Sequence, residues 1–284
     1  MSDDQPSIQH ISDTARWAAV YRAKETERPD ALFRDPYARR LAGERGEQIA
    51  AALPFHEQHS WSWVARTVAF DRFITEQLRD GVDMVVNLAA GLDMRPFRME
   101  LPKSLMWVEV DLPGILDYKE EIFGAEKPVC ELERVRMDLA DVDGRRRLFE
   151  RLGGRAKKAL VLSEGLMIYL AAEEAGALAQ NLFEVSSFQS WVLDIASPGL
   201  LQMLLPNTDM EFGEGVAKLK FAPENGPDFF KPYGWETVRV DSLGKTAAAL
   251  KRLPKELEPM LAMPENPTQM GPIPWSGVCL LGRV

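Results

Sequence analysis

The stretch Val85-Val86-Asn87-Leu88-Ala89-Ala90-Gly91-Leu92-Asp93-Met94-Arg95 constrains the fold of this chain more than any other. An apolar run ends in small residues, and an acidic residue follows soon after the glycine. A run bounded in this way predicts a buried parallel strand that ends in a tight loop. Gly91 and its small neighbours keep side chains away from the main chain, so a ligand can approach the backbone closely. Further along, a second apolar strand, Met106-Trp107-Val108-Glu109-Val110, ends in Asp111. A carboxylate at the tip of the second strand is where nucleotide-binding α/β folds grip the two hydroxyls of a ribose.

Two chemistries use that layout: hydride transfer with a dinucleotide, and methyl transfer from S-adenosylmethionine. A dinucleotide site wants G-x-G-x-x-G, because a pyrophosphate must rest on backbone N–H groups at a helix N-terminus. Here the turn reads Ala89, Ala90, Gly91, Leu92, Asp93, Met94, with a single glycine, and Pro96 follows where an N–H is needed. S-adenosylmethionine carries no phosphate, and its amino-acid end bears an ammonium. An acidic loop with one glycine suits that ligand better. A β-turn that binds nothing is the plain alternative, and Asp111 behind it weighs against that reading.

The chain has 284 residues and a formal net charge of −9. That length suits a single α/β enzyme domain over 1–284. An acidic chain is poorly suited to nucleic acid or anionic membranes, which want basic patches. Cys130 and Cys279 both fall in apolar, strand-like runs, which predicts two buried free thiols rather than a disulfide. No secretory leader pattern and no membrane-length apolar run occur, so a cytoplasmic location is expected.

In chain order, residues 1–10 read as a disordered tail, and a helix is predicted from Ser12 to Glu27. Asp35-Pro36 suits a helix start, with Asp35 as N-cap and Pro36 at the first helical position. A long helix is predicted from Ser60 to Leu78, with Phe70, Ile74 and Leu78 on one face. Residues 1–80 thus form a helical cap ahead of the α/β core, 81–284. Strands are predicted at Glu131–Met137, Ala159–Leu162, Trp191–Ile195, Trp235–Val240 and Val278–Leu281, with a helix from Ala172 to Val185. Alternating strands and helices mean a parallel sheet covered on both faces. Asp111, Asp138 and Glu164 then fall together on its C-terminal edge. From about 197 to 233 prolines, glycines and aromatic residues make the pattern irregular, which suggests a lid or substrate wall, or merely a cover for the sheet.

Taken together, Arg16-Trp17, Glu27-Arg28-Pro29-Asp30 with Asp35-Pro36, the Val86–Asp93 turn, Glu109-Val110-Asp111-Leu112-Pro113 and Ser163-Glu164-Gly165-Leu166-Met167-Ile168-Tyr169-Leu170 resemble the leucine carboxyl methyltransferase family. The closer likeness is to its bacterial branch of S-adenosylmethionine-dependent O-methyltransferases. It is strong over about 14–195 and weak beyond. The resemblance implies a class I methyltransferase (Rossmann-like) α/β fold, with seven strands and an antiparallel last strand. It also implies roles. Arg66 would hold the cofactor carboxylate, Gly91 would turn beneath the methionine moiety, and Asp111, with Leu112 beside it, would take the ribose hydroxyls. Asp138 and Leu139 would flank the adenine, and Glu164 would sit near the cofactor amino group. A basic residue is implied near Lys24, with Arg22 a rival for that place. Met94 departs from the pattern, since bacterial relatives commonly carry Thr there. A lone helical arginine such as Arg66 is otherwise usually a solvated surface residue.

A hydroxyl acceptor needs a general base, whereas a carboxylate is already ionised at neutral pH. The histidines, His10, His56 and His59, fall at no predicted strand end. Cys and His are too few and too badly spaced for a zinc site, so no metal is expected. The expected acceptor is therefore a small-molecule or peptide carboxylate, with a hydroxyl or phenol as the alternative. A module that binds the nucleoside without turnover is the non-enzymatic reading. Arg16, Arg22 and Arg95 are candidates for a counter-charge to the acceptor, and Tyr169 is a candidate catalytic oxygen. Met203, Leu204, Phe212 and Phe221 are expected to wall the acceptor.

Overall fold

The computed structural model describes residues 11–52, 60–211, 218–263 and 265–283. A seven-stranded sheet forms its centre, in the order β3-β2-β1-β4-β5-β7-β6. The strands are β1 (Met84–Leu88), β2 (Met106–Asp111), β3 (Glu131–Arg136), β4 (Ala159–Ser163), β5 (Phe188–Ala196), β6 (Trp235–Ser242) and β7 (Ser276–Arg283). Neighbours from β3 to β5 pair in parallel, and β7 runs antiparallel to both β5 and β6. This is the sheet the resemblance implies, and every strand read from the sequence is present.

Period-two alternation explains how the central strands bury both faces. Met84, Val86 and Leu88 point into a core with Phe149, Leu178, Trp191 and Trp235. Val85 points the other way, into a core with Trp107, Leu160, Val192, Phe70 and Phe73. The first face is covered by α6 (Val142–Gly153) and α7 (Ala172–Phe183), the second by α3 (Ser60–Arg79) and α9 (Leu243–Ala249).

Three helices carry the chain to the mouth of the sheet. In a third core, Trp17, Val20 and Tyr21 of α1 (Ile11–Thr26) meet Leu41 and Ile49 of α2 (Ala38–Ala52). They pack there on Leu92, Met94, and Ile115 and Leu116 of α5 (Pro113–Phe123). The short α4 (Arg95–Arg98) lies between the first strand loop and β2. Among the described residues no helix is long and apolar enough to cross a membrane.

Two expectations need correction. The helix after Asp35-Pro36 starts at Ala38, not Pro36. Asp35 heads a turn, its carboxylate accepting from Tyr37 N (3.2 Å) and from Arg22 Nε (2.9 Å). One carboxylate oxygen thus serves the turn and the other an arginine. The region from 197 is also less irregular than its prolines suggest, because α8 (Pro198–Glu211) is a helix. Pro198 stands at its first position, where no N–H is required. Cys130 and Cys279 are buried free thiols, as expected. The tail over 1–10, Phe212 and all three histidines lie outside the described residues.

Candidate functional site

A cavity of about 1570 Å³ opens along the C-terminal edge of the parallel strands. It straddles β1 and β4, where the strand order reverses, which is where open α/β sheets bind ligands. Single-ligand sites usually hold roughly 300–1000 Å³, so two small molecules fit here together.

The β1 loop forms its floor. Ala89 and Gly91 both take left-handed conformations (φ +52° and +50°). For alanine that geometry costs on the order of 1 kcal/mol and is the kind of strain found at functional turns. Ala90 N donates to Val110 O (3.3 Å), which ties the loop to the tip of β2. Gly91 N donates to Asp111 Oδ2 (2.6 Å), and Leu112 N donates to Asp111 Oδ1 (2.7 Å). Burial pushes the Asp111 carboxyl above its usual range, and those two N–H groups offset it only in part. Asp138, exposed at the end of β3, accepts from Ala140 N through Oδ1 (2.9 Å). Leu139 lines the cavity beside it.

The opposite rim is an ionic frame. Arg66 of α3 donates to Glu164 Oε1 (3.1 Å) and Asp194 Oδ2 (3.2 Å). Arg95 donates to Glu164 Oε2 (2.8 Å), Asp93 Oδ2 (2.9 Å) and Asp71 Oδ1 (2.6 Å). Arg98 closes the frame on Asp71 (2.8 Å). Four carboxylates, Asp71, Asp93, Glu164 and Asp194, thus face three guanidiniums, Arg66, Arg95 and Arg98, which leaves one net negative charge. Burial works against the charge on Arg66, but Asp194 and Glu164 outweigh it and hold its pKa above the ordinary value. Asp194 itself is pushed up by burial, with Arg66 and the Gly165 N–H pulling back. Tyr169 lines the cavity too; burial raises its hydroxyl, while a hydrogen bond with Thr14 opposes the shift.

Arg66, Gly91, Asp111, Leu112, Asp138, Leu139, Glu164 and Tyr169 therefore share one cavity. Arg22 lines it as well, clamped to Asp35 (2.9 Å) and Leu92 O (2.6 Å), whereas Lys24 is not among the lining residues. Lys24 Nζ lies 5.7 Å from the Tyr21 ring. Of the two, Arg22 is the one that lines the cavity. Arg16 is also outside the lining set, its guanidinium stacked 3.7 Å over Tyr118. Arg95 lines the cavity, is only 4% exposed and is engaged by three carboxylates. Met94 is fully buried in the core, so the missing Thr costs the cavity nothing.

A model of the leucine carboxyl methyltransferase family matches residues 15–183, more than half the chain. The chain belongs to the leucine carboxyl methyltransferase family. Among its relatives is a "Putative S-adenosyl-L-methionine-dependent methyltransferase" of Saccharopolyspora erythraea, 32% identical over 264 residues. That match covers 86% of this chain and 90% of the relative. A relative of the same description from Rhodococcus jostii is 30% identical over 94% of this chain and 97% of its own. Two solved structures share the fold. One is a DUF574 family protein from Streptomyces avermitilis, with TM-score 0.60 and 13% identity over 95% of this chain and 97% of its own. The other is described as a putative methyltransferase from Thermobifida fusca, with TM-score 0.54 and 17% identity over 98% and 96%. As a member of this family the chain is an S-adenosylmethionine-dependent methyltransferase.

The residues fit that cofactor. S-adenosylmethionine carries a sulfonium, an ammonium and a carboxylate, one net positive charge, against a frame with one net negative charge. Asp111 offers a partly desolvated carboxylate beside a turn with little side chain.

Two groups at this methyltransferase site were missed in the sequence. Asp194 sits inside an apolar strand, and a carboxylate in such a run was itself the available signal. Arg145 is 5% exposed, donates twice to Asn181 Oδ1 (2.7 and 3.1 Å) and holds Leu139 O (2.9 Å). It fixes the turn after β3, and no sequence spacing marks that role.

Proposed function

We propose that this methyltransferase delivers the methyl group to an oxygen, in the first place a carboxylate of a small molecule or peptide. Gly91, Asp111, Leu112, Asp138, Leu139, Glu164 and Arg66 would hold the cofactor in the roles given above. When bound, S-adenosylmethionine supplies an electrophilic methyl carbon, and displacement there by an ionised acceptor moves no proton.

One observation carries the preference for a carboxylate. The strand-end bases are already occupied. Glu164 gives one oxygen to Arg66 and the other to Arg95. Asp194 gives one to Gly165 N (2.6 Å) and the other to Arg66. Tyr169 is held above its ordinary pKa, so its phenolate is scarce at neutral pH. An acceptor that arrives ionised needs none of them. A hydroxyl acceptor is the second reading, supported by the raised carboxyl of Asp194, which would serve as a base if Arg66 shifted away.

Such an acceptor wants a cation. Arg22, Arg66 and Arg95 are each paired with a carboxylate. Lys220 also lines the cavity, its N–H bonded to Ile168 O (2.7 Å), and its ammonium has no ion pair among the described residues. Lys220→Ala is expected to raise KM for the acceptor about two- to fivefold with little change in kcat, the size of an exposed ion pair. Steady-state kinetics checks this.

Product chemistry tests the central claim. A methyl ester is cleaved by mild base, and a methyl ether is not. Turnover on a panel of organic acids is expected to yield base-labile products. Base-stable products alone would reject the carboxylate and leave the methyltransferase standing.

A further inference from the structure

Beyond the cofactor residues the cavity continues between α8 and the segments 253–263 and 265–275. Its lining there includes Leu200, Met203, Leu253, Leu257, Leu261 and Ile273. Resting on the methyl-transfer reading above, we propose that the acceptor is a small molecule with an extended apolar body. That body lies in this chamber, and the segments 253–263 and 265–275 are a fixed wall that sets its length.

Exposure of apolar side chains is the first support. Seven large hydrophobic residues stand out as exposed among the described residues: Leu112, Val129, Val142, Met203, Val238, Met263 and Ile273. Five of the seven, all but Val129 and Val238, line this one cavity. Leu112 and Val142 stand at the nucleoside end; Met203 (36%), Met263 (43%) and Ile273 (40%) stand at the far end. Apolar surface gathered in a concavity marks a binding site, whereas isolated exposed residues need no explanation.

The polar residues of the wall are the second support. Glu265 accepts from Ser242 Oγ (2.8 Å) and pairs with Lys245 (2.8 Å). Asn266 Nδ2 donates to Gln269 Oε1 (3.2 Å). Ser197 Oγ donates to Ile273 O (2.8 Å) and accepts from Trp275 N (2.9 Å). Each of these makes its bonds within the protein, and the buried wall donor without a partner among the described residues is Trp275 Nε1, so hydrocarbon can lie against the rest of this wall without stranding a polar partner.

Fastening is the third. Besides the Ser197 bonds, Ser197 N donates to Trp275 O (2.9 Å) and Met270 N to Glu224 O (2.6 Å). At Gly199 a Cβ would overlap the Pro272 carbonyl, and at Gly277 it would overlap the Trp275 ring. The segment is seated against α8 and β7 too closely for any side chain at those two positions. A wall so pinned fixes a length rather than opening and closing.

The test is binding, which reads independently of turnover. Full-length protein saturated with S-adenosylhomocysteine is titrated calorimetrically with straight-chain acids from butanoate to decanoate, and with 1-octanol. Affinity is expected to rise about two- to fourfold per added methylene until the chamber is full, the scale of burying one CH₂. Met203→Trp and Ile273→Trp place bulk at exposed positions where folding tolerates it. Each is expected to weaken decanoate at least tenfold, to leave butanoate nearly unchanged, and to leave S-adenosylhomocysteine affinity within twofold. Octanol binding as tightly as octanoate would keep the chamber and set aside the carboxylate. Affinity independent of chain length, or decanoate binding indifferent to both tryptophans, would overturn the proposal.

Discussion

Asp111→Ala is expected to weaken S-adenosylhomocysteine binding by about 30- to 150-fold. The figure follows from losing a pair of charge-assisted hydrogen bonds to ribose hydroxyls, about 2–3 kcal/mol together. Asp111 is held in place. Gly91 N and Leu112 N each hold one of its oxygens at 2.6 and 2.7 Å, so both oxygens are oriented before any ligand arrives. Alanine would also strand the Gly91 N–H and loosen a loop already held in left-handed geometry. Asp138→Ala should cost less, about fivefold to tenfold, because one proposed hydrogen bond is lost and not two. Calorimetry on both variants decides the ranking; unchanged affinity in Asp111→Ala would remove the tip of β2 from the cofactor site. The pH dependence adds a second reading. Ribose hydroxyls need the ionised carboxylate, and burial raises the pKa of Asp111. Affinity should therefore decline, as pH falls, from a point above the usual aspartate range.

The parallel core and its acid-bearing edge were legible because buried strands write themselves as short apolar runs. Met84–Leu88, Met106–Asp111 and Ala159–Ser163 each end at a residue that lines the cavity or next to one. Gly91, Asp111 and Glu164 could be placed from local pattern and order alone. Contacts made across long sequence distances left no such trace. Arg66 reaches Glu164 over 98 residues and Asp194 over 128, so nothing near Arg66 announces that it is a site residue. Here the family resemblance supplied what periodicity lacked. The same blindness made Arg16 and Arg95 look equivalent as counter-charges, although one stacks on Tyr118 and the other is enclosed by acids. Phe221 was expected at the acceptor wall, but it packs on Phe229 and Phe230 (4.9 and 6.0 Å) and is 3% exposed. An aromatic residue in a proline-rich stretch does not reveal which side it faces. Met203 and Leu204 do line the cavity. The far wall at 253–263 and 265–275 escaped notice because its main chain is held by hydrogen bonds to Ser197 and Glu224, which residue type does not encode.

Arg95→Met is expected to destabilise the protein by about 3–5 kcal/mol at neutral pH, the cost of removing one partner from a buried ion network. Methionine keeps most of the volume, so the loss reports charge rather than a cavity. Three carboxylates, on Asp71, Asp93 and Glu164, would lose their shared cation. Burial alone would raise Asp93, but Arg95 leads the cations that outweigh it and hold the carboxyl down to about 2. Asp71 is likewise lowered, with Arg98 and Arg95 overcoming burial. A folded-state pKa below the unfolded one contributes stability above the unfolded value, near 3.8, and loses it as pH falls towards about 2. Asp111 and Asp194 run the other way. Their raised carboxyls favour the folded state at low pH, and that contribution fades as pH rises through the raised values. Asp111 and Asp194 thus carry strain at neutral pH, and Asp71 and Asp93, held by Arg95 and Arg98, offset it. In Arg95→Met the freed carboxylates can relieve themselves by protonation, so the deficit should narrow as pH drops from 7 towards 4. Urea unfolding of both proteins across that range measures it. A deficit below about 1 kcal/mol at pH 7, or one that does not shrink in acid, would show that Arg95 does not anchor the frame. Arg95→Lys should rescue little, since one ammonium cannot span three carboxylates that now meet a planar fork.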